Sequence, residues 1–456
     1  MARSLFALTA LIVLSGRAAF AEDFASDRVI APAARITLSP KPVEPPATAE
    51  PAQVPEVEEQ PAVAEPERKG PSIRLRGRLE ADSITIDQDL KNKLLYGNFE
   101  NVVGFRRARL GAEGEVGEQT RWVSEIDFGG GMLALKDAFI AVNKLPILRE
   151  VRVGHQLEPF SLEGQTRSSW FPFIERSPSY ALDPARNWGV AFYSHTADQR
   201  IFLQAGAFKS GTDNTGTDVG DGNDMAYTAR FVLLPVYEES DDSLELVHIG
   251  GAASQRYPKN DEVTFNQGPQ SSLLQFVDNP LTPFVPNISI PANQNQVYNL
   301  QAALVLGCLS FQTEWNGSRV EQIGGGPVFL HGGYVLASYF LTGEHRGYNR
   351  EFGAFGETRV RRPFICMENS EDVGSGPGAW ELTARWAYLN FDSPNLATDA
   401  NGLKIGDRVT AWTVGLNWYL TDNTRIMLNY VYAIPVDPNF GSSTANVFTI
   451  RTSIVW

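Results

Sequence analysis

Arginines at alternate positions are the residues in this chain best suited to chemistry. Arg74, Arg76 and Arg78 stand two residues apart, and Arg107 and Arg109 repeat the spacing in the next segment. On an extended strand such side chains share one face and rise about 6 to 7 Å per step. A guanidinium stays charged and forks its donors onto an oxyanion, so a wet ladder of arginines suits weak, repeated binding of small anions. The same region carries Glu80, Asp82, Glu113, Glu125 and Asp127. Ion pairing with these acids accounts for the arginines equally well, and the sequence leaves both readings open.

Other chemistries find little support. There is no H-E-x-x-H, no G-x-S-x-G and no Gly-rich loop ending in Lys-Ser or Lys-Thr. The five histidines, His155, His195, His248, His331 and His345, are scattered without metal-ligand spacing. No enzyme, cofactor or metal site is therefore expected. A formal net charge of -14 argues against a nucleic-acid partner.

The elements that must carry the arginines are strands. The final residues set Phe448, Ile450, Ile454 and Trp456 against Thr449, Arg451 and Ser453, the period-two pattern of a strand with one apolar and one wet face. About sixteen such segments run from Ile73 to Trp456. The first places Ile73, Leu75, Leu79 and Ala81 opposite Arg74, Arg76, Arg78, Glu80 and Asp82. Late in the chain, Trp412, Val414, Leu416, Trp418 and Leu420 share a face, as do Ile426, Leu428, Tyr430 and Tyr432. With 26 Phe, 14 Tyr, 9 Trp and 40 Gly, this patterning predicts an all-β, transmembrane antiparallel β-barrel whose apolar face meets lipid. Trp380, Trp418, Tyr432 and Trp456 are placed in its interfacial girdles. Connections alternate between short and long, with 257 to 296 read as a long loop. Residues 343 to 378 break the alternation: they form either an extended periplasmic turn or a further hairpin.

The N-terminus reads as an export signal over 1–21, with Arg3, an apolar run from Leu5 to Leu14, and Ala19-Phe20-Ala21 at the cleavage site. Residues 22–70 hold ten acidic against five basic residues among many Pro and Ala, which predicts a disordered periplasmic linker before a barrel domain over 71–456. After the leader no run of eighteen apolar residues occurs, so helical spans are not expected. Cys308 and Cys366 are too few for a disulfide framework.

Several stretches resemble the phosphate-selective porin O and P family. They are Gly154-His155-Gln156-Leu157-Glu158-Pro159-Phe160-Ser161-Leu162-Glu163, then Phe173-Ile174-Glu175-Arg176-Ser177, Gly378-Ala379-Trp380-Glu381-Leu382, Gly415-Leu416-Asn417-Trp418-Tyr419 and Met427-Leu428-Asn429-Tyr430-Val431. The resemblance implies a barrel of sixteen strands in the outer membrane of a Gram-negative-type bacterium, a homotrimer embedded in outer-membrane lipid. It also implies that the third outer loop, Glu158 to Asn187, folds inward as a constriction. Arg167, Ser168, Ser169, Arg176 and Arg186 are then the donors at the narrow point, with Arg176 singled out by the F-x-E-R stretch. Glu158 and Glu175 are read as possible salt-bridge partners of these loop arginines. The expected function is a passive channel for small anions, with phosphate or polyphosphate as candidates. No lysine occurs between Lys144 and Lys209, which keeps a general porin open; a structural barrel tethered through its acidic linker is the third reading.

Overall fold

The computed structural model describes residues 70–129, 133–211, 223–240, 242–267, 285–364, 376–399 and 401–456. The chain divides into two units, Met1–Pro66 and Glu67–Trp456, and the described residues belong to the second. The expected leader, nearly all of the linker, and Cys366 lie outside them. Among the described residues no helix is long and apolar enough to cross a membrane.

Sixteen strands form one closed antiparallel ring. They are β1 (Arg74–Gln88), β2 (Val102–Val116), β3 (Thr120–Asp127), β4 (Ala134–Leu145), β5 (Arg149–Leu157), β6 (Arg186–His195), β7 (Ile201–Lys209) and β8 (Met225–Glu239). The second half comprises β9 (Leu244–Arg256), β10 (Val285–Leu306), β11 (Leu309–Gln322), β12 (Val328–Phe340), β13 (Ala379–Asn390), β14 (Arg408–Thr421), β15 (Thr424–Asp437) and β16 (Ala445–Val455). Closure is made by β16 on β1, with Val455 opposite Arg78 and Ala445 opposite Gln88. No strand of the ring keeps an unpaired edge, which is the condition for backbone amides to face hydrocarbon.

Alternation sets the two faces. In β16, Thr449, Arg451 and Ser453 are 2 %, 0 % and 1 % exposed, whereas Phe448 and Ile454 are 40 % and 39 % exposed. The outward set across the ring, including Leu75, Phe105, Ile140, Leu203, Leu300, Trp412 and Val414, is apolar. Leu420 departs from its expected outward position and is buried, because an irregularity between Tyr419 and Thr421 changes the register at the end of β14. Trp380 and Trp418 stack 5.0 Å apart near the ends of β13 and β14, and both indoles donate to the Pro377 carbonyl.

The wall is uneven in height. β3, β5 and β7 have 8, 9 and 9 residues, whereas β9 and β10 have 13 and 22. The region 257 to 296 is not wholly loop: Glu262–Gln267 pairs with the start of β10, with Val263 opposite Ile290 and Phe265 opposite Ile288. These apolar side chains pack with Leu182, Leu330, Phe391 and Val409, which gives the extension a core of its own.

Residues 341–378 connect β12 to β13 at the end of the barrel that carries the short turns, the periplasmic end of such proteins. Among the described residues they add no hairpin to the ring, and Tyr348–Asn349 pairs with Ala354–Phe355. Instead the segment turns into the barrel. Tyr348, Ala354 and Phe355 pack with Phe202, Val232, Leu234, Leu246 and Val305 of β7 to β10 and with Leu162 from the segment after β5. That second segment packs Phe171 and Phe173 on Tyr334, Leu336 and Ala387 of β12 and β13. The apolar cores that hold the two segments thus lie along β7 to β13, while the inward arginines and their acids gather on β1 to β6.

Candidate functional site: an arginine-lined cavity

The polar side of the interior begins with register. β1 and β2 pair so that Arg78 lies opposite Arg109 and Glu80 opposite Arg107, while β3 sets Asp127 opposite Arg109 and Glu125 opposite Gly111. Like charges facing each other across strands are unfavourable unless acids intervene, and here they do. Arg107 donates to Glu80 at 2.5 Å, Arg76 to Glu113 at 3.0 Å and to Glu125 at 2.8 Å, and Arg109 to Glu125 at 3.0 Å and to Asp127 at 2.7 Å. Arg186 of β6 holds Asp137 at 3.0 Å, and Arg121 and Arg152 share Glu150. The two readings left open by the sequence therefore coincide: the inward arginines line a cavity and are also paired.

The segment between β5 and β6 supplies the other side of the cavity. A short helix, Leu162–Gln165, is capped by Ser161, and the Glu314 carboxylate of β11 accepts the amides of Leu162 and Glu163 at 2.8 and 2.6 Å. Downstream, barrel side chains fasten the segment by its backbone. Arg425 donates to the carbonyls of Ser168 and Phe171, Asn417 to Pro172, Arg451 to Ile174 and Arg385 to Glu175. Asn429 accepts the amide of Ile174 at 2.8 Å. A stretch with no ladder of its own is thereby fixed against β13 to β16, with its buried polar groups satisfied.

Two carboxyls of this segment are driven in opposite directions. Burial raises Asp183 well above the usual carboxylate range and neighbouring Glu314 adds to the rise, against a hydrogen bond from Ser161. Burial also disfavours ionised Glu175, but Arg106, Arg107 and Arg451 outweigh it and hold that carboxyl below its usual range. Glu175 bonds Arg106 and Arg451, and Glu158 bonds Arg256 and Asn187. Both acids thus hold barrel residues.

The cavity enclosed by β1 to β6 and the two insertions has a volume of about 240 Å³. Its wall includes Arg76, Arg78, Arg107, Arg109, Arg121, Arg152, Arg167, Arg176 and Arg186, against the side chains of Glu125 and Asp137. Nine of the ten residues singled out from sequence line it; the tenth, Arg74, is exposed at the barrel end and pairs with Glu113. Ser168 accepts from Arg78 at 2.9 Å, and Ser169 lines the wall beside it.

Two loop arginines differ from the rest. Arg167 is exposed and sits 5.0 Å from the Trp170 ring. Arg176 donates to the carbonyls of Glu163, Gly164 and Thr166 and lies over Tyr180. Among the described residues neither has a carboxylate partner. The wall therefore keeps an excess of positive charge after its ion pairs are counted.

Sequence reasoning missed Arg121 and Arg152, although strand parity in β3 and β5 points both inward. It also missed the tip of the periplasmic insertion, where Asn349, Phe352, Ala354 and Phe355 reach the cavity. Arg230 of β8, 1 % exposed, donates to the Phe352 carbonyl at 3.1 Å and the Gly353 carbonyl at 2.7 Å, and Gln204 adds a bond to Phe352 at 2.9 Å. Gly353 has φ +62, and a Cβ there would press on the Phe202 ring at 3.3 Å, so the tip uses a residue without one. The available signal was the segment's length, since periplasmic turns of such barrels are short.

Residues 73–433 match the phosphate-selective porin O and P family. The chain belongs to that family. Porin O of Pseudomonas aeruginosa is 24% identical over 416 residues, covering 84% of this chain and 88% of that protein. An uncharacterized protein of Caulobacter vibrioides is 28% identical over 372 residues, covering 79% of this chain and 68% of that one. Among solved structures, an anion-selective porin from Comamonas acidovorans is similar at a TM-score of 0.49 and 12% identity, over 85% of this chain and 100% of that one. The porin is thus an outer-membrane diffusion channel of a Gram-negative bacterium. Family and fold point to a channel rather than an enzyme.

Proposed function

We propose that this porin passes small anions in preference to cations. Arg76, Arg78, Arg107, Arg109, Arg167, Arg176 and Arg186 form the filter, and Ser168 and Ser169 serve as neutral donors. The observation that carries the reading is the cavity wall, where nine arginines and no lysine meet two carboxylate side chains. Solute moves down its concentration gradient; the wall supplies a field that favours anions and donors that exchange rapidly with water. Arg167 leads in this scheme, because its charge is not spent on an acid. Phosphate is a candidate solute through the family's description, and polyphosphate is a candidate as a chain of the same groups.

The test is the reversal potential across a planar bilayer holding the purified protein in a potassium chloride gradient, repeated with added phosphate. Anion-selective current supports the filter, and block by phosphate at low concentration supports phosphate as solute. A cation-selective channel overturns the reading. A plugged structural barrel is the alternative, favoured by the two insertions that fill the β7 to β13 side, and absence of current would establish it.

A homotrimer fits the uneven wall. Eight residues of β3, at about 3.3 Å each and tilted about 40°, rise only about 20 Å, less than the apolar band of about 25 Å. Packing of this low side against two further copies would shield it from mismatch with lipid. Export with removal of residues 1–21, and a periplasmic linker over 22–70, are proposed from composition.

A further inference from the structure

The cavity is not lined by charge alone. Trp170 from the inner loop and Phe352 from the periplasmic insertion border it, both partly exposed, with Phe139 of β4 and Phe355 beside them. Arginines lie on these rings. Arg167 sits 5.0 Å from the Trp170 centroid, and Arg152 sits 4.7 Å from Phe352 and 4.9 Å from Phe139. A guanidinium stacked on a ring directs its N–H edge sideways, and that of Arg167 has no carboxylate partner among the described residues, so donors and apolar surface stand side by side. Inorganic phosphate has no apolar surface to place on the rings.

We infer that the preferred solute is an aromatic monocarboxylate of the benzoate type. Its carboxylate rides on the arginine edges while its ring passes over Trp170 and Phe352. The volume of about 240 Å³ falls just below that of drug-sized sites, roughly 300–1,000 Å³, which suits a single ring. This inference rests on the anion-filter reading above and adds to it the chemistry of the anion.

The experiment uses the full-length porin in bilayers under bi-ionic conditions, comparing acetate, benzoate, cyclohexanecarboxylate and phosphate against chloride. A plain water-filled pore passes acetate faster than the larger benzoate. Here benzoate should exceed acetate and cyclohexanecarboxylate by roughly three- to tenfold, the range of one ring contact. In Trp170→Leu and Phe352→Leu, the benzoate-to-acetate ratio within each variant should fall toward one. Anion-selective current with benzoate no better than acetate, matched by cyclohexanecarboxylate or exceeded by phosphate, overturns this inference and leaves the filter standing. Cation selectivity or no current overturns the filter itself.

Discussion

Arg230→Met tests whether the periplasmic insertion is held in the barrel as its bonds suggest. Arg230 joins β8 to the insertion through the carbonyls of Phe352 and Gly353, and it also bonds Gln204 and Gln301 within the wall. Methionine keeps the apolar stem but removes every donor. The Phe352 carbonyl retains Gln204, whereas the bond to Gly353 is lost and that carbonyl is left buried. A hydrogen bond to a charged donor contributes about 1.5–3 kcal/mol, and a buried orphan acceptor costs about 1–3 kcal/mol. With one carbonyl still served, docking of the tip should weaken by about 2–4 kcal/mol, which is roughly 30- to 1,000-fold in the undocked population. Tyr348, Ala354 and Phe355 remain packed, so the barrel should fold. The expected result is greater open-channel noise with larger mean conductance, and faster hydrogen exchange over residues 348–356 but not over β8. Wild-type noise together with wild-type exchange would refute the clamp. Arg230→Lys, with a single point of contact, should fall between the two.

Three further outcomes follow from the geometry. Arg167→Gln removes an unpaired charge from the cavity; at about 6 Å in a water-like medium one charge is worth about 0.7 kcal/mol, lost to the anion and gained by the cation, so the anion-to-cation permeability ratio should drop about tenfold by reversal potential, and an unchanged potential would take Arg167 out of the filter. Burial, with nearby Asp437 and against a hydrogen bond from Tyr96, raises Asp407 to about 7. The raised value means that the folded outer loops hold the proton more tightly, so this site stabilises them below the ordinary carboxylate range and loses that contribution as pH rises through 7. Exchange over Leu90–Tyr96, corrected for intrinsic rate, should quicken as pH rises from about 4 to 7 and level off above it in the wild type but not in Asp407→Asn; equal pH dependence in both would dismiss the site. Ile140→Asp on the low wall, where Ile140 is exposed, should abolish the trimer band on mild detergent gels, and a trimer that survives would place the interface elsewhere.

Period two in the sequence determined most of the ring, because a strand between lipid and a wet interior must alternate, and that constraint is written locally in each segment. The same parity put Arg76, Arg78, Arg107 and Arg109 on the inward face before any contact was known, and it would have placed Arg121 and Arg152 there had it been applied to β3 and β5. Parity says which side a residue faces and nothing about what it meets. Only closure of the ring brought Arg451 to Asp82, and only the inward course of the chain put Phe352 under Arg230 and Ser168 beside Arg78. These partners lie 369, 122 and 90 residues apart. Their pairing depends on the shear of the whole barrel and on which connection fills its interior. Two insertions with apolar faces could be recognised as long, but the decision to bury them along β7 to β13, leaving the arginine side open, belongs to the packed interior, where Phe202, Val232 and Leu246 pack with Tyr348 and Phe355.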